Sequence, residues 1–119
     1  MKNLFFIFAF FITLISCSKL DNNVKFINES NIKIDSIILI GNQKCNPLII
    51  KNLLPNNSIE GILENCNKTG GDGSYIVKIY SKKNEITKGF GYYTNGVMYF
   101  EEIVIKFTKN NNILVEEKY

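Results

Sequence analysis

The chain has 119 residues, with 14 basic residues against 11 acidic ones and a formal net charge of +3 at neutral pH. This length fits one domain with one core, and so small a net charge indicates no class of partner. Every basic residue is lysine, and histidine is absent. The sequence therefore excludes Ser-His and Cys-His nucleophile pairs and any zinc site that needs an imidazole ligand.

The first residues have the layout of an export signal. Lys2 precedes an apolar run from Leu4 to Ile15, which is too short to cross a bilayer unless its flanking residues are included. The run ends in Leu14-Ile15-Ser16-Cys17, which resembles the lipobox of bacterial lipoproteins. The resemblance implies that residues 1–16 are a cleaved signal peptide and that the Cys17 sulfur carries a diacylglycerol thioether. An ordinary secretory signal, with Cys17 unmodified or paired, is the alternative.

The residues after Cys17 bear on where such a lipoprotein resides. Ser18 stands where an aspartate holds inner-membrane lipoproteins, so the resemblance favours an outer-membrane protein that faces either the periplasm or the cell surface. Residues 17–23 are mostly polar and predict a lipidated tether, and residues 24–119 predict the folded domain. The membrane, through the lipid on Cys17, is the first expected partner.

Eight short apolar runs follow, each bounded by Asn, Gly, Pro, Asp or Ser. Their isoleucine, valine, tyrosine and phenylalanine content favours strands over helices. Alternation supports this: Tyr75, Val77 and Ile79 share one face of a strand, as do Ile103, Ile105 and Phe107. These patterns predict a small antiparallel β-sandwich of seven to eight strands, with immunoglobulin-like character. The runs cover residues 24–28, 32–40, 47–54, 58–64, 74–81, 85–94, 97–108 and 113–117.

Two cysteines remain after Cys17, namely Cys45 and Cys66. In an oxidising compartment such a pair predicts a disulfide, and two thiols are the alternative. The bridge would require the two Cα atoms to lie within about 7 Å of each other.

Other motifs give no site for a metal, a cofactor or a reaction. The segment around Gly70 has oxygen ligands at alternate positions, but Ile76 stands where a calcium loop needs its glutamate. Glu101 and Glu102 are adjacent, so on a strand they point to opposite faces and cannot form an acid-base pair. Dispersed lysines give no stripe for nucleic acid. We therefore expect no cofactor, no catalysis and no nucleic-acid partner.

The most aromatic stretch, residues 89–100, is the candidate binding surface. Asn95-Gly96 predicts a tight hairpin turn that pairs Thr94 with Val97 and continues to Gly91 with Phe100. One face would then carry Phe90, Tyr92 and Tyr99, and the other Tyr93, Met98 and Phe100. Alternation continued from Ile103, Ile105 and Phe107 places Tyr92 and Tyr99 inside, although a bulge near Glu101 and Glu102 would reverse this. The possible binding platform comprises Phe90, Tyr92, Tyr93 and Tyr99.

These observations favour a noncatalytic, lipid-anchored binding or interaction domain for a protein or glycan partner. The alternative is a structural, accessory or immunity-type envelope lipoprotein. An enzyme built from carboxylates and lysines is the least supported reading.

Overall fold

The computed structural model describes residues 22–64, 71–82, 84–95, 97 and 100–119. These residues contain strands and no helix. Each predicted apolar run overlaps one strand. The run at 97–108 was expected to be extended throughout, but its strand begins only at Glu102. The strands are β1 (Asn23–Asn28), β2 (Ile34–Ile40), β3 (Leu48–Leu53), β4 (Ser58–Ile62), β5 (Gly73–Ser81), β6 (Asn84–Tyr93), β7 (Glu102–Phe107) and β8 (Ile113–Lys118).

The strands form two four-stranded sheets. Sheet A has the order β4-β1-β7-β8, and sheet B has the order β3-β2-β5-β6. The prediction of a small all-β sandwich of seven to eight strands is thus confirmed, with eight strands present. The inward faces meet because apolar residues alternate along β1, β5 and β7: Tyr75, Val77 and Ile79 are at most 1% exposed. Burying one such side chain stabilises the fold by about 1.5–3 kcal/mol.

The strand pairing departs from the expected architecture in one respect. Five of the strand pairs are antiparallel, but β1 runs parallel to β7, with Phe26 beside Ile105. In an immunoglobulin constant-type domain the first strand pairs with the second, whereas here β1 lies between β4 and β7. The difference arises because residues 29–33 carry the chain from sheet A directly into sheet B. The likeness to immunoglobulin domains therefore extends to the two packed sheets and not to their strand order.

The connections divide between two ends of the sandwich. Residues 29–33, 54–57 and 108–112 lie at one end, called the turn end, together with Lys82. The other end, called the loop end, holds residues 41–47, 63–64, 71–72, 94–95, 97 and 100–101, together with Asn22 at the start of β1 and Tyr119 after β8. Hydrogen bonds tie the loop end together, since the Leu63 amide donates to Asn22 O and the Glu101 amide donates to Lys118 O.

A buried asparagine fastens the turn end. The Asn28 amide nitrogen donates to Ile32 O at 2.8 Å and to Leu53 O at 3.1 Å. Its side-chain oxygen accepts hydrogen bonds from the Ser30 amide and, at 2.6 Å, from the Ser30 hydroxyl. Because Asn28 ends β1 and Leu53 ends β3, this side chain links the two sheets.

Candidate functional site

A cleft of about 390 Å³ opens at the loop end of sheet B. Its walls come from three parts of the chain that the strand order brings together: the β2–β3 connection, the start of β5 with the residue before it, and the last residue of β6. Its lining mixes amide, hydroxyl, ammonium and carboxylate groups with the apolar surface of one aliphatic and one aromatic side chain. The lining residues are Asn42, Gln43, Lys44, Asp72, Gly73, Ser74, Ile76 and Tyr93.

Local hydrogen bonds shape two walls of the cleft. The Lys44 amide donates to the side-chain oxygen of Asn42 at 3.0 Å, an Asx turn that holds the β2–β3 connection in a compact form. Asn42 is only 2% exposed. On the opposite wall, the Tyr93 hydroxyl donates to Gly41 O at 3.4 Å. The cleft is therefore built on backbone that is fixed by its own side chains.

Tyr93 also covers the glycine that begins β5. Gly73 pairs with Tyr93 across the strands, and a methyl group at Gly73 would lie 2.7 Å from Cζ of the Tyr93 ring. An aromatic ring over a cross-strand glycine protects the bare backbone. The sequence predicted such a pair between Phe100 and Gly91, but the structure forms it between Tyr93 and Gly73.

Four aromatic rings form a cluster at the loop end of the core. The Tyr75 ring stacks on Phe90 at 5.4 Å between centroids, and meets Tyr93 edge-on at 5.6 Å and Phe100 at 5.8 Å. The buried Tyr75 hydroxyl has no hydrogen-bond partner among the described residues. Burial raises the pKa of this phenol, and the nearby Tyr119, Glu117 and Tyr93 raise it further. A phenol so placed stays protonated and serves packing.

A β-bulge explains why Phe90 and Tyr93 point the same way. Tyr75 pairs with Phe90 and Gly73 with Tyr93, so β6 contains one residue more than β5 between these pairs. Gly91 supplies it, with a φ of 62° that favours glycine. The predicted alternation, which placed Phe90 and Tyr92 on one face, is wrong for this reason. The bulge lies at Gly91 and not near Glu101.

The predicted platform is consequently divided. Phe90 is half-buried and Tyr93 is 6% exposed, so both rings pack in the core. Tyr92 is 58% exposed, against the expectation that alternation places it inside. Tyr99 and Met98 lie outside the described residues. Only Tyr92 among the described members presents its ring to solvent.

Tyr92 adjoins the cleft through Asp72. A side-chain hydrogen bond between Tyr92 and Asp72 raises the pKa of the Tyr92 phenol. Asp72 Oδ1 also accepts a hydrogen bond from the Asn95 amide at 3.0 Å. Asp72 therefore joins the cleft wall, the exposed ring and the turn after β6 into one surface.

The turn at Asn95 is confirmed, but the hairpin is shorter than predicted. Thr94 pairs with Val97, the Val97 amide donates to Thr94 O at 2.9 Å, and Asn95 has a φ of 52°. The predicted pairs of Phe100 with Gly91 and of Glu101 with Phe90 do not form: Phe100 lies outside any strand and Phe90 pairs with Tyr75. The reason is that the chain leaves sheet B after Val97 and enters sheet A as β7.

The cysteines predicted to carry a lipid and a disulfide are only partly within the described residues. Cys17 and Cys66 lie outside them. Cys45 lies in the β2–β3 connection, where its amide donates to Asn42 O at 2.9 Å. The Asn46 side chain, one residue later, donates to Glu64 Oε2 at 3.3 Å. This contact joins the β2–β3 connection to the chain just after β4.

The described residues bring together no group of three or more His, Cys, Asp or Glu side chains that could hold a metal ion. The same residues include no helix that is long and apolar enough to span a membrane.

Sequence reasoning identified Tyr92 and Tyr93 but missed the cleft beside them. Asn42 and Asp72 gave only turn signals, Gly41-Asn42 after β2 and Asp72-Gly73 before β5. Nothing in the sequence indicated that these two turns meet, because they meet only once β2 and β5 pair.

The chain is similar in structure to a protein from Eubacterium rectale whose structure was solved by NMR. The two share 14% sequence identity with a TM-score of 0.52, over 86% of this chain and 92% of that one. At this identity the likeness shows the fold alone. Comparison of the sequence with family models and with curated proteins finds no match.

Proposed function

We propose that this protein is an outer-membrane lipoprotein, anchored through Cys17, whose β-sandwich is a noncatalytic domain that binds a glycan. The observation that carries the binding role is the joined surface of the cleft and the exposed Tyr92 ring, linked by Asp72. The anchor is supported by the Leu14-Ile15-Ser16-Cys17 sequence and the polar segment that follows it. Two or three acyl chains suffice for durable attachment.

The chemistry of the surface favours a glycan over a protein partner. Gln43 and Ser74 offer donors and acceptors that match sugar hydroxyls, and Asp72 offers acceptors. The exposed Tyr92 ring gives an apolar face on which a sugar ring can stack. A cleft of this size admits one or two sugar units, whereas a protein interface needs a larger and more apolar patch.

Glycan binding is tested with the purified lipidated protein in detergent on an array of bacterial envelope glycans, followed by titration of any ligand found. We expect Tyr92→Ala to weaken binding about tenfold, equivalent to about 1.4 kcal/mol. Leu114→Ala is the matched control, because Leu114 is similarly exposed but lies beside the turn end. An array without a ligand, or equal affinity in both variants, would contradict the proposed binding role and favour a structural or accessory lipoprotein.

The anchor is tested separately by feeding cells labelled palmitate. The wild-type protein should incorporate the label, and Cys17→Ser should accumulate as an unprocessed precursor without it. Absence of label in the wild-type protein would refute the lipoprotein assignment.

We also propose that Cys45 and Cys66 form a disulfide that stabilises the loop end. It is motivated by the two cysteines that remain after Cys17 and by the contact between Asn46 and Glu64, which lie one and two residues from Cys45 and Cys66 in the sequence. Closing a loop of roughly 20 residues restricts the unfolded chain and stabilises the fold by roughly 3 kcal/mol. The bridge would hold the β2–β3 wall of the cleft against the connection that leads to Asp72.

A further inference from the structure

We propose that the loop end of sheet A rests on the lipid headgroups, with Ile62 and Tyr119 as its two points of contact. This inference rests on the lipid anchor proposed above and goes beyond it, because an anchor alone fixes no orientation. Three observations carry it: the length of the tether, the position of the exposed apolar side chains and the place where the chain enters the fold.

The tether is too short to let the domain turn freely. Four residues lie between Cys17 and Asn22, the first described residue, so even a fully extended tether spans only about 18 Å. β1 then runs for six residues, roughly 20 Å, from the loop end to the turn end. The turn end could therefore reach lipid only if the whole tether ran back along the domain. The loop end reaches it with the tether in any conformation.

The loop end also exposes the most apolar surface. Tyr119 is 70% exposed, Ile62 is 66% exposed and Tyr92 is 58% exposed, the three highest values among the described large hydrophobic residues. Two of them belong to sheet A: Ile62 ends β4 and Tyr119 follows β8. Tyr92 belongs to sheet B and to the cleft.

Ile62 and Tyr119 flank the point where the tether joins the domain. β4 and β8 are the two edges of sheet A, three strand spacings or about 14 Å apart, and β1 lies between them. Asn23 pairs with both Ile62 and Glu102, so the chain enters at the level of these side chains. One apolar contact on each side of β1, the strand that follows the lipidated tether, would hold the sheet upright on a membrane. Tyrosine, with its apolar ring and polar hydroxyl, suits the headgroup level.

The charges at this end favour an apolar contact with neutral headgroups over an electrostatic one. Glu64, Glu101 and Glu117 are exposed there, with Lys44 as an exposed cation. Lys118 and Glu102 pair with each other at 3.2 Å. Because the exposed charge of the described residues at this end is mainly acidic, anionic lipids should weaken the contact and salt should not abolish it.

The orientation places the cleft close to the membrane. Packed sheets lie about 10 Å apart, so the loop end of sheet B stands just behind the contact edge. A ligand in the cleft would then be bound within a few nanometres of the headgroups, a position suited to glycans carried at the membrane surface.

The absence of tryptophan from the chain allows a direct test. Single tryptophans are introduced as Ile62→Trp and Tyr119→Trp at the loop end, and as Leu54→Trp and Leu114→Trp toward the turn end. All four positions are at least half exposed, so the fold should tolerate them. Each full-length lipidated variant is reconstituted into phosphatidylcholine vesicles that contain a phosphatidylcholine brominated in the upper acyl chain. Because every variant carries the same tryptophan, its own preference for interfaces affects both ends alike.

We expect bromine to quench the loop-end tryptophans about twofold more strongly than the turn-end ones, with a blue-shifted emission, because aromatic rings settle at the headgroup level. Equal quenching at both ends, or stronger quenching at the turn end, would overturn the orientation while leaving the anchor intact. Failure of the wild-type protein to float with the vesicles would overturn the anchor and the orientation together. Flotation therefore separates the two failures.

Discussion

Replacing Gly91 with alanine should destabilise the domain far more than the same change two residues earlier in the same strand. Gly91 forms the β-bulge of β6 with a φ of 62°, a conformation that costs a residue with a Cβ atom about 1 kcal/mol. A Cβ atom here would also meet Glu117 Oε1 and would lie 2.8 Å from Cδ2 of the Tyr75 ring. The exposed Glu117 side chain can move away, but the Tyr75 ring cannot.

The magnitude follows from the packing around Tyr75. Phe90, Tyr93 and Phe100 hold this ring on three sides, so relieving the overlap would require the whole aromatic cluster to shift. Overpacking of this kind costs about 1–3 kcal/mol. Together with the backbone term, we expect Gly91→Ala to lose about 2–4 kcal/mol of unfolding free energy.

Urea denaturation followed by tyrosine fluorescence measures this loss. Gly89→Ala is the matched control, because Gly89 is exposed in the same strand and its nearest contact would be Tyr75 O at 3.8 Å. The control should change stability by no more than about 0.5 kcal/mol. A Gly91→Ala loss as small as that of the control would show that the bulge does not constrain this strand, and the account of the divided aromatic platform would fail with it.

Three further changes test the packing described above. Tyr75→Phe removes a buried hydroxyl without a described partner, and should stabilise the fold by about 1 kcal/mol in urea at neutral pH. Because the folded state raises the pKa of this phenol, the stability of the wild-type protein should fall as the pH rises above about 10. The stability of Tyr75→Phe should fall less. If Tyr75→Phe were instead less stable than wild type at neutral pH, the hydroxyl would have a hydrogen-bond partner and the reasoning would fail. Asn28→Ala leaves two backbone carbonyls without the hydrogen bonds that the Asn28 amide donates. It should lower the free energy of unfolding by about 3 kcal/mol, whereas Asn110→Ala at an exposed position should change it almost not at all. Cys45→Ser should lower the free energy of unfolding by roughly 3 kcal/mol and abolish the destabilisation that reductant causes in the wild-type protein. An equal response of the wild type and the variant to reductant would argue against the bridge to Cys66.

The number and position of the strands could be predicted because each depends on a local pattern. The alternation in Ile103, Ile105 and Phe107 is enough to define which face of β7 is buried, and all three are 1% exposed. The pairing of β1 with β7 could not be predicted, since no short-range signal relates two strands so distant in sequence. Strand order depends on contacts across the whole domain, so it could not be derived from the local patterns of one sequence.

The site was less predictable for a different reason. A single residue in the left-handed region at Gly91 shifts every following side chain to the other face, so Tyr92 and Tyr93 exchange the positions that simple alternation gives them. Glycine tolerates such a conformation without requiring it, and Gly89 in the same strand does not adopt it. The cleft residues were beyond reach because Asn42 and Asp72 become neighbours only after sheet B has formed.

The parallel pairing of β1 with β7 imposes an order on folding. The sheet B hairpins β2–β3 and β5–β6 join strands that are adjacent in sequence, so each can form as soon as its second strand has been synthesised. β1 emerges first but has no hydrogen-bonded neighbour until β4 follows, and its other edge stays open until β7 arrives near the end of the chain. Pairing across so long a stretch is slow, and an open edge invites pairing with other chains. The first strand of the domain is thus the one most in need of protection while the rest of the chain is being synthesised.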